Sequence, residues 1–286
     1  MADTATRCPI CHELSTLQLG ISRHTYFRCV GCHTSFCSPK PTESELNEYY
    51  SSYHLSDEDG GVYDSVENRM IADFPAKLNL MRKFGGTTKL LDVGCGKGYF
   101  VKYCRDQGID AQGIDVSESA VQYAAENFQF SIHHGTLENC ASLDPIYDSI
   151  SLWATIEHLS DPRATIEAAV SRLKVGGFLH LDTGIGYDWL DRLLPGYVQW
   201  FDPPQHLFVF SATGLRMLLE QCGLRIVRHE RCFERSLQRK VIRTLRCGTA
   251  ALSCRCVATL LGLTKSMNRV TRYPLGNLQS VSAQKI

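Results

Sequence analysis

Three glycines at alternate positions, preceded by an acidic residue, are the feature of this sequence best suited to chemistry. The run from Lys89 to Tyr99 is apolar up to Asp92 and rich in glycine from Gly94 onward. It predicts a buried strand, a tight turn and a helix start. Glycine has no Cβ, so the turn can approach a ligand closely, and N–H groups at the helix start favour a negative group. A second apolar run ends at Asp115, where a carboxylate can accept both hydroxyls of a ribose. The pair predicts a cofactor that contains a nucleoside.

The glycine spacing indicates which cofactor this is. A dinucleotide-binding turn, G-x-G-x-x-G, would have its last glycine where this chain has Tyr99. The sequence has D-x-G-x-G-x-G instead, which resembles the first motif of class I methyltransferases that bind S-adenosylmethionine. The resemblance implies that Asp92 serves the amino group of the cofactor's methionine part and that Asp115 binds its ribose. It also implies that Gly94 and Gly96 hold the methionine part. A glycine turn that binds nothing is the alternative for this motif taken alone.

The same resemblance implies further cofactor contacts. Cys95 would be a small residue that fills space inside the turn. Thr136 and Leu137 would lie against the adenine, and Trp153 and Ala154 would border the methionine part. The family often has an acid where Thr136 stands, and this chain departs from that pattern. The additional positions are Cys95, Val116, Thr136, Leu137, Trp153 and Ala154.

Four cysteines near the N-terminus have the spacing of a metal site. They form C-x2-C-x17-C-x2-C, and they are Cys8, Cys11, Cys29 and Cys32. Four thiolates supply the tetrahedral shell that Zn²⁺ accepts, with no position left open, so a structural zinc is favoured over a catalytic one. Iron is an alternative metal for the same shell. Nearby residues that are alternative ligands are His12, His33 and Cys37.

Methyl transfer to a hydroxyl requires a base, and two histidines are candidates. The sulfonium is already activated, so the protein mainly aligns the acceptor, but a hydroxyl must also lose its proton. His206 lies in a loop that we expect to overhang the ligand-binding end of the sheet, near Trp200 and Phe201. A histidine that only anchors this loop is the equal alternative. His158, next to Glu157, is the second candidate, although an architectural role is favoured for that pair.

Alternating strand-like and helix-like runs position these residues. From Lys89 to Asp182 they predict βαβ units, and hence a doubly wound, mostly parallel sheet with ligands at the carboxyl ends of its strands. The resemblance adds a seven-stranded, Rossmann-like methyltransferase sheet whose last strand is antiparallel, and it covers residues 77–286. It is strongest to small-molecule methyltransferases of the ubiquinone-biosynthesis type. The cysteine array is similar to one in sugar methyltransferases.

The predicted domains are a zinc ribbon over residues 1–41, a helical cap or linker over 42–86 and the methyltransferase domain over 87–286. A helical insert near 232–273 interrupts the last of these. Residues 228–272 contain eleven basic and two acidic residues, with apolar residues near helical spacing. Such a segment can lie on an anionic membrane surface or bind a lipid-linked acceptor, and a helical pair with solvated arginines is the favoured alternative.

Composition excludes several classes of protein. The formal net charge is zero, which does not indicate a general polyanion binder, and the first residues show no secretory signal. Thirteen cysteines in such a chain fit reduced thiols in the cytosol, so we expect a cytoplasmic protein, with contact at a membrane surface as an option. The oligomeric state is not indicated.

The leading hypothesis is a methyltransferase with zinc and S-adenosylmethionine, acting on a small-molecule, sugar or lipid-linked acceptor, at oxygen. An RNA methyltransferase is one alternative. It is disfavoured because the ribbon has few basic residues and lacks the aromatic and basic interleaving of a nucleic-acid binder. A non-catalytic, zinc-bearing interaction protein with the same fold is the other alternative.

Overall fold

The computed structural model describes residues 6–21, 23–42, 44–46, 48–49, 62–187, 191–192, 200–232 and 278–286. These residues fall into two compact units. The first lies within 6–40, 184–217, 230–232 and 278–279, and the second within 41–183, 218–229 and 280–286.

Three strands begin the first unit: β1 (Ser15–Ile21), β2 (His24–Cys29) and β3 (Ser35–Cys37). The elements of the rest of the chain, in order, are α1 (Val62–Phe84), β4 (Lys89–Val93), α2 (Tyr99–Asp106), β5 (Asp110–Asp115), α3 (Glu118–Asn127), β6 (His133–His134), β7 (Tyr147–Trp153), a 3-10 helix (Ile156–His158), α4 (Pro162–Arg172), β8 (Leu173–Gly184), β9 (Phe208–Val209), α5 (Ala212–Gln221), β10 (Leu224–Cys232) and β11 (Leu278–Lys285).

The larger sheet has seven strands in the order β10-β11-β8-β7-β4-β5-β6. The pairs β4 with β5, β4 with β7, β5 with β6 and β7 with β8 are all parallel. Helices connect the parallel strands, as in βαβ units. The predicted doubly wound, mostly parallel, Rossmann-like sheet is confirmed. Because β4, β5 and β7 are parallel neighbours, the turns that follow them leave the sheet at the same edge.

Local signals explain where the helices begin. Ser117 caps α3 by accepting a hydrogen bond from the Ala120 N–H at 3.4 Å, and Asp161 caps α4 through the Ala164 N–H at 3.0 Å. Thr42 and Glu45 form a capping box, in which the Glu45 carboxylate accepts from the Thr42 N–H at 2.8 Å and the Thr42 hydroxyl accepts from the Glu45 N–H at 3.3 Å.

The core of the second unit lies between α1, α2 and the first strands of the sheet. Phe74, Leu78 and Met81 on α1 are buried together with Leu90 and Phe100. These α1 positions are spaced three or four residues apart, so they form one apolar face of the helix. The helical spacing of apolar residues from Val62 to Phe84 predicts one helix over this range, and the structure confirms it.

The hydrophobic pattern predicts one strand over 130–134 and another beginning at Gly177, and the structure differs at both. The first is paired only at His133–His134. The second begins at Leu173, directly after α4, because Leu173 already pairs with Tyr147 of β7. The hydrophobic pattern locates both strands, whereas pairing with neighbours sets their ends.

The first unit contains a four-stranded sheet in the order β1-β2-β3-β9. The residues between the two cysteine pairs form an antiparallel hairpin of β1 and β2. Strand β9 comes from a distant part of the chain and pairs with β3 through Ser35 with Val209 and Phe36 with Phe208. Residues 233–273 of the predicted basic insert lie outside the described residues. Within the described residues, no helix combines the length and hydropathy that crossing a membrane requires.

Candidate active site and metal centre

The glycine turn after β4 is exposed at Gly94 and partly exposed at Gly96, whereas Gly98 is buried. Gly94, Gly96 and Gly98 have φ values of 68°, 53° and 80°, in the left-handed region that favours glycine. A Cβ at Gly94 would lie 2.5 Å from the Thr155 side chain, so this position must also be glycine for steric reasons. The Gly94 N–H donates to the Ile114 carbonyl at 2.9 Å, which fixes the turn against the end of β5.

Asp115 lies beside this turn at the end of β5. Its Oδ2 accepts a hydrogen bond from the Gly96 N–H at 2.7 Å, and its Oδ1 accepts from the Ser117 N–H at 2.9 Å. Each carboxylate oxygen has two lone pairs, so both oxygens retain capacity for hydroxyl donors. The structure therefore brings Asp115 into contact with the glycine turn that follows Asp92, although the two motifs follow successive strands of the sequence.

Asp92 is buried one residue before the end of β4. It is 3% exposed, and its Oδ1 accepts a hydrogen bond from the Ser151 hydroxyl at 2.6 Å. Burial raises the pKa of Asp92 to about 7, while the Ser151 hydrogen bond and the Lys77 charge oppose this rise. A buried carboxyl whose ionised form is this poorly compensated is suited to receive a cationic group.

Lys77 and Asp182 join this region, and sequence reasoning did not identify them. Lys77 Nζ lies 3.3 Å from Asp182 Oδ2 and 4.5 Å from the centroid of the Trp153 ring. Asp182 also accepts a hydrogen bond from the Ala154 N–H at 2.7 Å, and Ala154 has a φ of 51°, uncommon for a residue with a side chain. A signal existed in the sequence, because Lys77 falls three residues after Phe74 on the apolar face of α1.

Four buried polar atoms of the second unit have no hydrogen-bond partner among the described residues. They are Trp153 Nε1, Glu157 Oε2, His180 Nε2 and Thr183 Oγ1. Burial raises the pKa of Glu157 to about 7. Buried polar groups are normally hydrogen-bonded, so atoms without partners near β7 and β8 indicate where a polar ligand or water would be accommodated.

The other predicted cofactor contacts in this unit follow β4, β5 and β6. Val116 is 49% exposed directly after Asp115, and Thr136 is exposed, whereas the Leu137 side chain is 1% exposed and belongs to the core. Cys95 packs against Gly113, where a Cβ would lie 2.7 Å from the Cys95 sulfur. Val116 and Thr136 thus offer side chains to a ligand, and Leu137 offers only its backbone.

The two candidate bases are in different units. His206, in the first unit, is half-buried, and its Nδ1–H donates to the Trp200 carbonyl at 3.0 Å. Burial lowers the pKa of His206 to about 4, so its ring is neutral near pH 7 and Nε2 is the basic nitrogen. His158, in the second unit, ends the 3-10 helix that buries Glu157.

The four predicted metal ligands come together in the first unit. Cys8, Cys11, Cys29 and Cys32 place their sulfurs within 4.8 Å of one another. Zinc bound tetrahedrally to four sulfurs separates them by about 3.8 Å, given a Zn–S bond of about 2.3 Å. The observed pairs, Cys8 with Cys32 at 3.6 Å and Cys11 with Cys29 at 3.3 Å, are close to that distance. The Cys8 sulfur and burial raise the pKa of Cys32, which a cation at the centre of the group would reverse.

The two cysteine pairs lie on turns of the same conformation. In each turn the N–H of the first cysteine donates to the carbonyl five residues later, Cys8 to Glu13 at 2.9 Å and Cys29 to Thr34 at 3.0 Å. In each turn the residue after the second cysteine has a φ of 63°, namely His12 and His33. Two matching turns present four sulfurs to one point, as a zinc ribbon requires.

The alternative metal ligands have other positions. His33 stacks on the Tyr187 ring with centroids 3.9 Å apart. The Cys37 sulfur lies 4.0 Å from His24 Nδ1, outside the group of four, and burial raises the pKa of Cys37 to about 11. His12 is likewise outside that group.

Comparison with known families decides the class of this protein. A family model described as a methyltransferase domain matches residues 63–229, more than half of the chain. The chain belongs to this methyltransferase family. It is an S-adenosylmethionine-dependent methyltransferase of class I, and the glycine turn, Asp115 and the end of β7 all lie within the matched residues.

Curated relatives of this methyltransferase include two ubiquinone biosynthesis O-methyltransferases. The one from Leptothrix cholodnii is 26% identical, over 49% of this chain and 71% of the relative. The one from Coxiella burnetii is 28% identical, over 45% of this chain and 64% of the relative. The matched part is therefore about two thirds of the relatives' length.

Solved structures share the fold of this methyltransferase. The magnesium protoporphyrin IX methyltransferase of Synechocystis, with bound SAH, has a TM-score of 0.53 at 15% identity, covering 86% of this chain and 100% of that one. The [4+2]-cyclase SpnF has a TM-score of 0.58 at 18% identity, covering 86% of this chain and 98% of that one. At such identity these structures support the fold alone.

Proposed function

We propose that this protein transfers the methyl group of S-adenosylmethionine to an oxygen of a small-molecule acceptor. The observation that carries the proposal is the arrangement of Asp92, the glycine turn and Asp115 at the carboxyl ends of neighbouring parallel strands. When bound, the cofactor supplies an electrophilic methyl group on a sulfonium. The residues of the chain bind and orient the cofactor and remove the proton from the acceptor.

Asp92 and Asp115 are proposed to hold the two ends of the cofactor. Asp92 is buried with a raised pKa and one hydroxyl partner, which fits a cationic amino group. Asp115 faces the turn and accepts from Gly96 and Ser117, leaving lone pairs for the ribose hydroxyls. Gly94 is exposed, so its backbone is accessible to the methionine part.

Lys77 is proposed to bind the cofactor's carboxylate. Its ammonium group lies between the Asp182 carboxylate and the Trp153 ring, close enough to Asp92 to lower the pKa of that acid. An ammonium flanked by acids and a ring face can exchange one partner for a ligand carboxylate without leaving its position. Trp153 and Ala154, which share this neighbourhood, are proposed to border the methionine part.

The adenine is proposed to lie along the turns after β5 and β6. Val116 presents an exposed apolar side chain, and Thr136 is exposed on the next turn. The Leu137 backbone and the small Cys95 complete the proposed set. An apolar side chain and a hydroxyl suit the face and the edge of a purine, respectively.

His206 is proposed as the general base. Its ring is neutral near pH 7 and oriented by the bond from Nδ1 to the Trp200 carbonyl, so Nε2 is the nitrogen that accepts a proton. A base is needed for a hydroxyl acceptor, and this supports oxygen as the atom methylated. His158 is the alternative base.

The four cysteines are proposed to hold one structural zinc ion. Their sulfurs are close to tetrahedral separation and occupy all four positions of the shell. The Ile10 N–H donates to the Cys8 sulfur at 3.4 Å and the Cys32 N–H to the Cys29 sulfur at 3.3 Å, which stabilises thiolates.

The acceptor is proposed to be a small molecule, because curated relatives act in ubiquinone biosynthesis as O-methyltransferases. A sugar or a lipid-linked molecule is the alternative acceptor. The deciding experiment supplies methyl-labelled S-adenosylmethionine to the protein with extracted metabolite pools. Label is expected in an alkali-stable methyl ether. Label in nitrogen or carbon products would contradict oxygen transfer, and binding of NAD in preference to S-adenosylmethionine would contradict the cofactor.

A further inference from the structure

The metal-binding turns and the segment 200–211 belong to one folded piece. This segment, which we call the ribbon-bound segment, runs from Trp200 to Ser211 and contains His206. Strand β9 lies within this segment and is the fourth strand of the sheet β1-β2-β3-β9. The Cys37 N–H donates to the Leu207 carbonyl at 2.8 Å, so the ladder continues toward His206.

Tyr26 connects the ribbon to the backbone of His206. The Tyr26 side chain is fully buried, and its hydroxyl donates to the His206 carbonyl. Its ring packs edge-on against Phe201, with centroids 5.1 Å apart. Tyr26 is in β2, three residues before the metal-ligand position Cys29. The Tyr26 side chain therefore holds both the Phe201 ring and the main chain of His206, the proposed base.

The second cysteine turn is joined directly to the end of the ribbon-bound segment. The Ser211 hydroxyl donates to the carbonyl of Cys32, and it also accepts the Gly214 N–H at 2.8 Å, at the start of α5. A Cβ at Gly214 would lie 1.9 Å from the Thr34 hydroxyl. Glycine is thus required where the first turn of α5 approaches the residues after Cys32.

We infer that the ribbon is a metal-dependent scaffold that positions the ribbon-bound segment, with Tyr26 as the positioning residue for His206. The inference rests on the proposed roles of the four cysteines and of His206. The acceptor side of the reaction would then depend on metal occupancy, while cofactor binding in the second unit would not.

The physical basis is the small size of the ribbon. Three short strands bury too little apolar surface to fold alone, so metal binding supplies much of their folding energy. Without the metal, the ribbon unfolds, so the pairing of β3 with β9 and the hydrogen bonds of Tyr26 and Ser211 are lost. The ribbon-bound segment, which these contacts hold in place, then becomes disordered.

Hydrogen exchange on the full chain tests the scaffold. The protein is compared as purified and after dialysis against a chelator under reducing conditions, with zinc content measured on both samples. On metal loss, amide exchange within 200–211 is expected to rise by at least ~10-fold, while exchange within 89–98 stays the same. Unchanged exchange within 200–211 after metal loss would overturn the scaffold.

The variant Tyr26→Phe tests the positioning role, with Tyr147→Phe as its matched control. Tyr147 is equally buried and its hydroxyl donates to Gln112 Oε1 at 2.5 Å, in the second unit. In spectra of ring-labelled histidine, assigned with His206→Gln, Tyr26→Phe is expected to move the His206 resonances and Tyr147→Phe to leave them in place. Zinc content should be unchanged in both. Unmoved His206 resonances in Tyr26→Phe would overturn the positioning role.

Cofactor binding measured on the same samples separates this inference from the proposed function. Metal-depleted protein and Tyr26→Phe are expected to bind S-adenosylmethionine within about twofold of the untreated protein. No binding by the untreated protein would contradict the proposed function, and the exchange and resonance results would still decide the scaffold. A protein that never carries metal, with 200–211 already in fast exchange, would overturn the metal dependence.

Discussion

The Ser151 hydroxyl donates to Asp92 Oδ1 at 2.6 Å and is the partner that the structure gives this buried carboxyl from the neighbouring strand β7. Burial outweighs the hydrogen bond and raises the pKa of Asp92 to about 7. The free protein therefore holds Asp92 partly protonated under neutral conditions.

The first prediction is that cofactor affinity rises with pH through about 7. Only ionised Asp92 can pair with the amino group, and at pH 6 about one tenth of the carboxyl is ionised when its pKa is about 7. We expect binding to be up to ~10-fold weaker at pH 6 than at pH 8. Calorimetry in buffers of different ionisation enthalpy should also detect release of a proton on binding at pH 6. Asp92→Asn should remove both effects, and exposed Asp110→Asn should retain them.

The second prediction concerns Lys77. Lys77→Met keeps the length of the stem over the Trp153 ring and removes the charge that faces Asp182, so cofactor affinity should fall by about 10-fold through loss of one charged contact. Lys102→Met is the matched control, since Lys102 is exposed and pairs with Asp106 at 2.7 Å. Equal affinities for the two variants in calorimetry would refute the role of Lys77.

The third prediction concerns the metal. The protein is expected to carry about one zinc per chain after exhaustive dialysis, and Cys29→Ser should lower the content and the thermal stability because a shell of four thiolates has lost one ligand. Cys104→Ser serves as the control, because Cys104 is also a buried free cysteine but lies in the other unit. Full zinc in Cys29→Ser, measured by atomic emission, would contradict the site.

The fourth prediction separates the two candidate bases. His206→Ala should abolish turnover of the acceptor found by label transfer while cofactor affinity stays the same, because His206 acts on the acceptor. His158→Ala is expected to retain turnover. Turnover retained by the first variant and lost by the second would reverse the assignment.

The fifth prediction concerns acid stability. His180 is fully buried on β8, its Nδ1 lies 3.0 Å from the Ser282 hydroxyl, and burial lowers the pKa of His180 to about 3. The unfolded chain takes up the proton below about pH 6.5 and the folded chain does not, so stability from this group is present above that pH and is lost as pH falls. The difference in unfolding free energy between wild type and His180→Asn should shrink by about 2 kcal/mol between pH 7 and pH 5.

Asp92 and Glu157 act in the opposite sense. Their pKa values are raised in the folded chain, so they bind protons first and favour the native state as pH falls from about 7 toward about 4. These contributions cancel when wild type and His180→Asn are compared by denaturant unfolding. A difference that does not change with pH would show that His180 is not the group responsible.

The sequence by itself determined the alternating strands and helices, the glycine turn, Asp115 and the four cysteines. Each of these is a local pattern: apolar periodicity, backbone conformations that only glycine adopts easily, or ligand pairs three residues apart. Such patterns retain their meaning without knowledge of the neighbours, and this is why the mostly parallel sheet was predicted correctly. The class of enzyme followed from the resemblance of the glycine motif to that of class I methyltransferases.

The tertiary structure alone decided which distant residues meet. Lys77 and Asp182 are 105 positions apart in the sequence. They form an ion pair because α1 lies over the edge of the sheet at which β8 ends. Phe208 and Val209 join the ribbon through backbone hydrogen bonds, which almost any side chain permits and which leave little trace in a sequence. The burial of Asp92 and the partial burial of His206, and so their shifted pKa values, likewise follow from packing by residues remote in the chain.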